Sequence, residues 1–255
     1  MSMGGSAAHR AAPFIIGILA LCLVGAAQAS GQGLKPSRVH FVDRVGNNAL
    51  FRGNEPLGNG SSETFAYDAL IEEITKKAYL EANWSMEGPI YLVDMSFEYI
   101  EHSDIKAEEN FFNENTHLGR YIKYPIFGAP FPPWVVGEKM VKYLANGPIW
   151  VADELPKRMG ALRSLLETAD NGGGNVVVYG HCEAGCDRTG EFMAAYYMQY
   201  KNMTVQEAWE HDTSDCGREP YHLNEFAIGW YCEYLKLNGL GDHLEECTIT
   251  REVQR

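Results

Sequence analysis

Apolar and polar positions change period several times along this chain. Val39-His40-Phe41-Val42 and Ala49-Leu50-Phe51-Arg52 read as two short strands around a Gly46-Asn47-Asn48 turn. Gly53 to Ser62 is rich in Gly, Asn and Ser and predicts a loop. From Glu63 to Asn83 the spacing becomes helical, with Leu70, Ile71, Ile74 and Ala78 on one face, and Pro89 breaks it. Ile90-Tyr91-Leu92-Val93 is a short apolar run of the kind that forms a buried strand, whereas Phe97 to Leu118 is polar and shows no clear period. Tyr121 to Tyr124 predicts a further strand, ended by Pro125.

In the second half, Pro130, Pro132 and Pro133 stiffen the chain before a helix carrying Val136, Met140 and Leu144, which Gly147-Pro148 stops. Asp153 to Ala169 places Leu155, Met159, Leu162, Leu165, Leu166 and Ala169 at helical spacing, and the turn from Asp170 to Gly174 follows. Val176-Val177-Val178-Tyr179 is the clearest strand. Thr189 to Tyr200, Val205 to Asp212 and Leu223 to Leu237 read as helices. Strands alternating with helices predict an α/β fold with a central, mostly parallel sheet flanked by helices. No linker divides it.

The first residues stand apart from this pattern. Arg10 precedes an apolar run from Ala11 to Ala27 that closes on Ala27-Gln28-Ala29, a small-x-small cleavage pattern. The run is shorter than the roughly 20 apolar residues of a spanning helix. The expected organisation is therefore a cleaved signal peptide at 1–29, a flexible segment at 30–38, a catalytic domain at 39–240 and a tail at 241–255. The destination is secreted or lumenal, with no stable membrane span after cleavage. Three Asn-x-Ser/Thr sequons, at Asn59, Asn83 and Asn202, fit that route.

Composition narrows the partners. The chain has 255 residues and a formal charge of −13, which argues against nucleic acid, whose phosphates attract Lys and Arg. Six cysteines are present. Cys22 leaves with the signal, so Cys182, Cys186, Cys216, Cys232 and Cys247 remain, an odd number that implies at least one free thiol. The last three supply one disulfide, or two if Cys186 joins. No His/Cys pair has ligand spacing, so neither metal nor cofactor is expected.

The chemistry concentrates in one loop. The strand at Val176 runs into Gly180-His181-Cys182-Glu183-Ala184-Gly185-Cys186-Asp187-Arg188-Thr189-Gly190, and a helix follows. A strand, a turn and a helix N-terminus make an anion site, because free backbone N–H groups converge there. Residues Glu183, Ala184, Gly185, Cys186, Asp187 and Arg188 would line it. Such a field favours the thiolate of Cys182. The planar fork of Arg188 can hold two oxygens of one phosphate, Thr189 can donate a hydroxyl to the sulfur, and His181 can orient the nucleophile. Together these groups describe phosphoryl transfer through a covalent intermediate.

His-Cys-x-x-x-x-x-Arg-Thr-Gly resembles the phosphate-binding loop of the cysteine-dependent protein tyrosine phosphatase superfamily. The resemblance implies a tyrosine-phosphatase-like fold, Cys182 as nucleophile and Arg188 as the phosphoryl ligand. The family takes its general acid from a loop about thirty residues before the cysteine. Asp153, 29 residues before Cys182 in Trp150-Val151-Ala152-Asp153-Glu154-Leu155-Pro156, is in that place. Asp153 also suits a cap on the helix that follows, and Glu154 is the rival carboxylate. Phe51-Arg52-Gly53-Asn54-Glu55-Pro56 is similar to an aromatic-Arg-x-x-x-Pro segment of small dual-specificity and phytase-like members.

The resemblance implies a phosphomonoester hydrolase acting on a phosphoprotein or small phosphomonoester. A secreted inositol phosphate or phosphoinositide phosphatase of the same superfamily is the alternative. His-Cys-Glu-Ala-Gly is similar to phytase-like loops, and Cys-x-x-x-x-Asp-Arg-Thr to myotubularin and Sac-type loops. Glu183 and Asp187 stand where lipid phosphatases often carry lysines. Lys157 and Arg158 either meet a second phosphate or form a solvated helix face. Cys186 is either a redox partner of Cys182 or a small side chain packed beneath the loop. His211-Asp212 reads as surface or helix cap. A phosphate-binding pseudophosphatase and a rhodanese-like sulfurtransferase complete the alternatives.

Overall fold

The computed structural model describes residues 33–251, apart from 59–63, 101–102, 148–152 and 171. The proposed signal peptide, the sequon at Asn59, the Gly147-Pro148 stop beyond Gly147, and Trp150-Val151-Ala152 of the proposed acid loop lie outside the described residues.

Five strands form one mixed sheet in the order β1-β2-β5-β3-β4. They are β1 (His40–Val45), β2 (Asn48–Asn54), β3 (Ile90–Ser96), β4 (Gly119–Lys123) and β5 (Asn175–Cys182). The β1–β2 hairpin is antiparallel, turning at Gly46, whose φ of 63° lies in the left-handed region that glycine enters without strain. The β2–β5, β5–β3 and β3–β4 pairs are parallel. One antiparallel edge strand thus joins the parallel sheet that the sequence predicts.

Successive side chains of β5 point to opposite faces, so its apolar run feeds two cores. Val176 and Val178 join Leu50, Val93 and Met95 on one face, beneath α4 (Leu155–Thr168), α5 (Asp187–Tyr200), α6 (Val205–Cys216) and α7 (His222–Leu237). Val177 and Tyr179 join Ala49, Phe51 and Leu92 on the other, covered by α1 (Tyr67–Ala82) and α2 (Ser103–Glu114). The remaining helix, α3 (Glu138–Ala145), packs with α7 in a smaller cluster around Trp230. Each Val or Leu buried this way contributes about 1.5–3 kcal/mol. Helix α5 is enclosed along almost its whole length: Thr189 through Met198 are all buried. That enclosure fixes the axis along which its first turn points.

Three expectations change. The polar stretch from Phe97 to Leu118 contains α2, which buries Ile105 and Phe112 and leaves most other positions to solvent. The N-terminal segment is packed from Gly33 onward: Leu34 N–H donates to Leu57 O at 2.8 Å, and Pro36–Arg38 forms a 3-10 turn. The C-terminal segment is no free tail, since Leu244, Cys247 and Ile249 are buried and Cys247 is disulfide-bonded to Cys232 of α7.

Candidate active site

Cys182 is the last residue of β5, and α5 begins at Asp187. The loop between them is held from three sides. Register pairs Asn54 of β2 with Cys182, and the Phe97 N–H donates to His181 O at 2.8 Å. Arg52, wholly buried on β2, donates from Nη2 to Gly185 O at 3.0 Å. Gly185 has φ 72°, and a Cβ there would lie 2.5 Å from the Gly53 carbonyl, so only glycine fits. The first turn of α5 then presents the N–H groups that intrahelical bonding leaves over.

Cys182 is the one free thiol among the described cysteines and is buried to 1% exposure. Arg188, six residues on, ion-pairs with Glu98 and lies over the Tyr99 ring, 5.2 Å from its centroid. Burial works against the Arg188 charge, but Cys182 and Glu98 outweigh it and hold the guanidinium more firmly protonated. The other oxygen of Glu98 accepts the Glu183 N–H at 2.7 Å. One carboxylate therefore ties the arginine to the first amide after Cys182.

Two more guanidinium groups stand near. Arg218 makes a two-pronged contact with Asp187, at 2.9 and 2.6 Å, which raises its pKa despite partial burial. Arg38 donates to Cys186 Sγ at 2.8 Å and to Cys216 O. Burial and the neighbouring Arg218 and Arg52 lower its pKa. All three arginines, 38, 188 and 218, interact favourably with a Cys182 thiolate. The global charge of −13 does not govern this local field.

Several sequence readings are corrected. Cys186 is neither a lone packed side chain nor bonded to Cys182: it forms a disulfide with Cys216 at the end of α6, which is the two-disulfide alternative. The Thr189 hydroxyl is buried with no hydrogen-bond partner among the described residues, so the expected bond to the sulfur is not made. Asp212 is no surface residue. It is fully buried and ion-paired with Arg52, which Asp215 also meets at 3.2 Å. Burial opposes the Arg52 charge, but the two aspartates raise its pKa. Gly190 makes that pair possible, because a Cβ there would overlap the Asp212 carboxylate.

Asp153 does not cap α4, whose N-cap is Glu154. Its oxygens accept the N–H groups of Phe127 at 3.0 Å and Gly128 at 3.2 Å. Burial raises its pKa, and those bonds partly offset the rise. Glu191 of α5 lies beside it, with a pKa pushed well up by burial and then by the Asp153 charge. The pair lines a cavity with Gly128, Pro156, Ala227 and Trp230. Lys157 is exposed and pairs with the half-buried Glu154 at 2.8 Å. Arg158 is buried, donates to Pro125 O and stacks on Tyr124, so it is part of the framework.

Glu98, Tyr99, Arg38 and Arg218 escaped the sequence reading. They reach the loop from elements far along the chain and belong to no local motif.

Residues 149–215 match the family model "Dual specificity phosphatase, catalytic domain". The match spans α4, β5, the phosphate loop, α5 and α6. The segment that carries the Cys182–Arg188 loop is thus similar to the catalytic domain of dual specificity phosphatases. A search of curated proteins gives no significant match. Among solved structures it is similar to a mouse dual specificity phosphatase complexed with zinc tungstate, at 16% identity and TM-score 0.42, covering 87% of this chain and 98% of that one. PTPMT1 in complex with PI(5)P gives 16% and 0.39, covering 78% and 97%. P. aeruginosa TpbA in complex with pTyr gives 18% and 0.36, covering 85% and 96%.

Proposed function

We propose that the chain hydrolyses phosphomonoesters of phosphoproteins, in the dual-specificity manner, through a cysteinyl-phosphate on Cys182. The observation that carries this reading is the free thiol of Cys182 at the end of β5, with Arg188 on the same loop and held by Glu98. The sulfur attacks phosphorus while Arg188 and the loop amides take the non-bridging oxygens. The S–P bond forms, the P–O bond breaks, and the leaving oxygen takes a proton from the general acid. Water then attacks, the acid's conjugate base takes its proton, and thiolate and inorganic phosphate separate.

Asp153 is the acid in this proposal. Its raised pKa favours the protonated form that donation requires. Acting as acid also requires it to leave the Phe127 and Gly128 amides. The setting of the proposal is the secretory pathway, supported by the Cys186–Cys216 and Cys232–Cys247 disulfides, which persist in oxidising compartments.

The test is phosphate release from para-nitrophenyl phosphate, a phosphotyrosine peptide, phosphatidylinositol 5-phosphate and inositol hexakisphosphate. The reading expects turnover of the peptide, abolished in Cys182→Ser and reduced about 100-fold or more in Asp153→Asn. Unchanged turnover in Asp153→Asn moves the acid elsewhere. Preferential release from the inositol compounds selects the inositol branch. Persulfide formation from thiosulfate without phosphate release selects a sulfurtransferase.

A further inference from the structure

Behind the phosphate loop, on the α1–α2 side of the sheet, three ionisable side chains meet in the interior: Asp94 of β3, Glu108 of α2 and His181 of β5. All are 0% exposed. The His181 Nε2 atom lies 3.0 Å from Asp94 Oδ1 and 3.6 Å from Glu108 Oε1. The 3.0 Å contact is within hydrogen-bond reach, yet neither ring nitrogen of His181 and neither oxygen of Asp94 makes a hydrogen bond among the described residues. The donor atoms converge without lying in line with one another. That is the disposition of ligands around a common centre rather than of a donor facing an acceptor.

The spacing fits such a centre. Two ligands each about 2.1 Å from one ion, at the tetrahedral angle, stand about 3.4 Å apart. The observed 3.0 and 3.6 Å bracket that value. Charge points the same way. His181 is the only ion-pair partner of the buried Asp94 among the described residues. Carboxylates removed from water need compensation by a paired charge or a metal ion. One nitrogen and two carboxylate oxygens suit a borderline first-row divalent cation such as Zn²⁺ or Mn²⁺. Tyr121, the register partner of Asp94 on β4, brings a buried hydroxyl to the same region.

We propose that Asp94, Glu108 and His181 form a buried divalent-cation site beneath the phosphate loop. An ion there joins β3, α2 and the residue immediately before the nucleophile. Its role is to fix His181, and so the start of the loop, while remaining outside the reaction itself. Ligand spacing could not reveal the site, because its members come from three separate elements.

The test is metal content, measured by plasma mass spectrometry on full-length protein purified natively from zinc- and manganese-supplemented cells. The proposal expects about one equivalent of zinc or manganese per chain, falling below about a tenth in Asp94→Asn/Glu108→Gln. On the wild type, stripping the metal with a chelator lowers the melting temperature by several degrees and Zn²⁺ alone restores it. This second measurement holds if the variant does not fold. Native protein carrying less than about a tenth of an equivalent, with a melting temperature indifferent to chelator and zinc, overturns the proposal. So does metal retained undiminished by a folded double variant. Neither result bears on turnover at Cys182, so the two proposals fail separately.

Discussion

The Arg52 guanidinium of β2 donates to the Gly185 carbonyl at 3.0 Å, at the point where the phosphate loop turns. The same guanidinium meets Asp212 and Asp215 of α6. One buried cation therefore ties the central sheet, the loop and the helix that carries Cys216. Replacing it by Leu leaves two carboxylates in the interior without their partner. Arg52→Leu is expected to destabilise the fold by about 3–5 kcal/mol, the usual result of breaking a buried pair from one side. Urea unfolding measures it. Arg52→Leu/Asp212→Leu should recover part of that loss, and a double variant no more stable than the single one would show that the pair is not coupled.

The Cys186–Cys216 bond ties the 182–188 loop to the end of α6, whereas Cys232–Cys247 fastens the C-terminal segment to α7. Removing either should cost about 2–4 kcal/mol of stability. Only the first should disturb phosphate handling. In Cys186→Ser/Cys216→Ser, KM for para-nitrophenyl phosphate is expected to rise about tenfold, against little change in Cys232→Ser/Cys247→Ser. Equal KM values in the two variants would remove the loop disulfide from the account.

Glu98 gives one oxygen to Arg188 and the other to the Glu183 amide. Glu98→Gln keeps the size and removes the charge that orients the guanidinium. We expect kcat/KM to fall about 10- to 100-fold, with melting temperature changed little. A larger loss of stability than of turnover would make Glu98 a packing residue.

Glu191 and Asp153 set a pH dependence whose sign follows from burial. The Glu191 pKa lies well above its ordinary 4.5, chiefly through burial. Its contribution to stability is fully present below pH 4.5 and is lost as pH rises through the folded value, because the unfolded chain ionises first. Wild-type stability should therefore decline as pH rises above about 4.5. Glu191→Gln keeps a donor for Asp153 and an acceptor for Asn224, so its melting temperature should decline less over that range. Parallel profiles would show that Glu191 does not hold a proton in the folded state.

The strand–loop–helix unit at 175–200 was legible because its cysteine, turn and arginine are contiguous and its strand opens on an unbroken apolar run. The partners of that unit were not. Glu98 follows β3, 84 residues before Cys182, and only the parallel β3–β5 pairing brings it to Arg188. Asp212 sits on a helix whose polar text reads as surface, and it is buried because Gly190 leaves space for its carboxylate. Cysteine spacing allows several pairings and selects none. α2 was missed because its buried apolar residues, Ile105 and Phe112, are spread thinly among polar and charged ones. Asp153 is singled out by its distance from Cys182, but spacing along the chain does not report that the Phe127 and Gly128 amides engage it.

The central claim is a phosphoryl group carried on Cys182. Acid-quenching the enzyme during turnover of a phosphotyrosine peptide, then mapping its peptides by mass spectrometry, tests it directly. The account predicts one phosphoryl group on the peptide containing Cys182, formed within a turnover, chased by unlabelled substrate and absent in Cys182→Ser. A phosphoryl group on another residue, or wild-type phosphate release by Cys182→Ser, would contradict it.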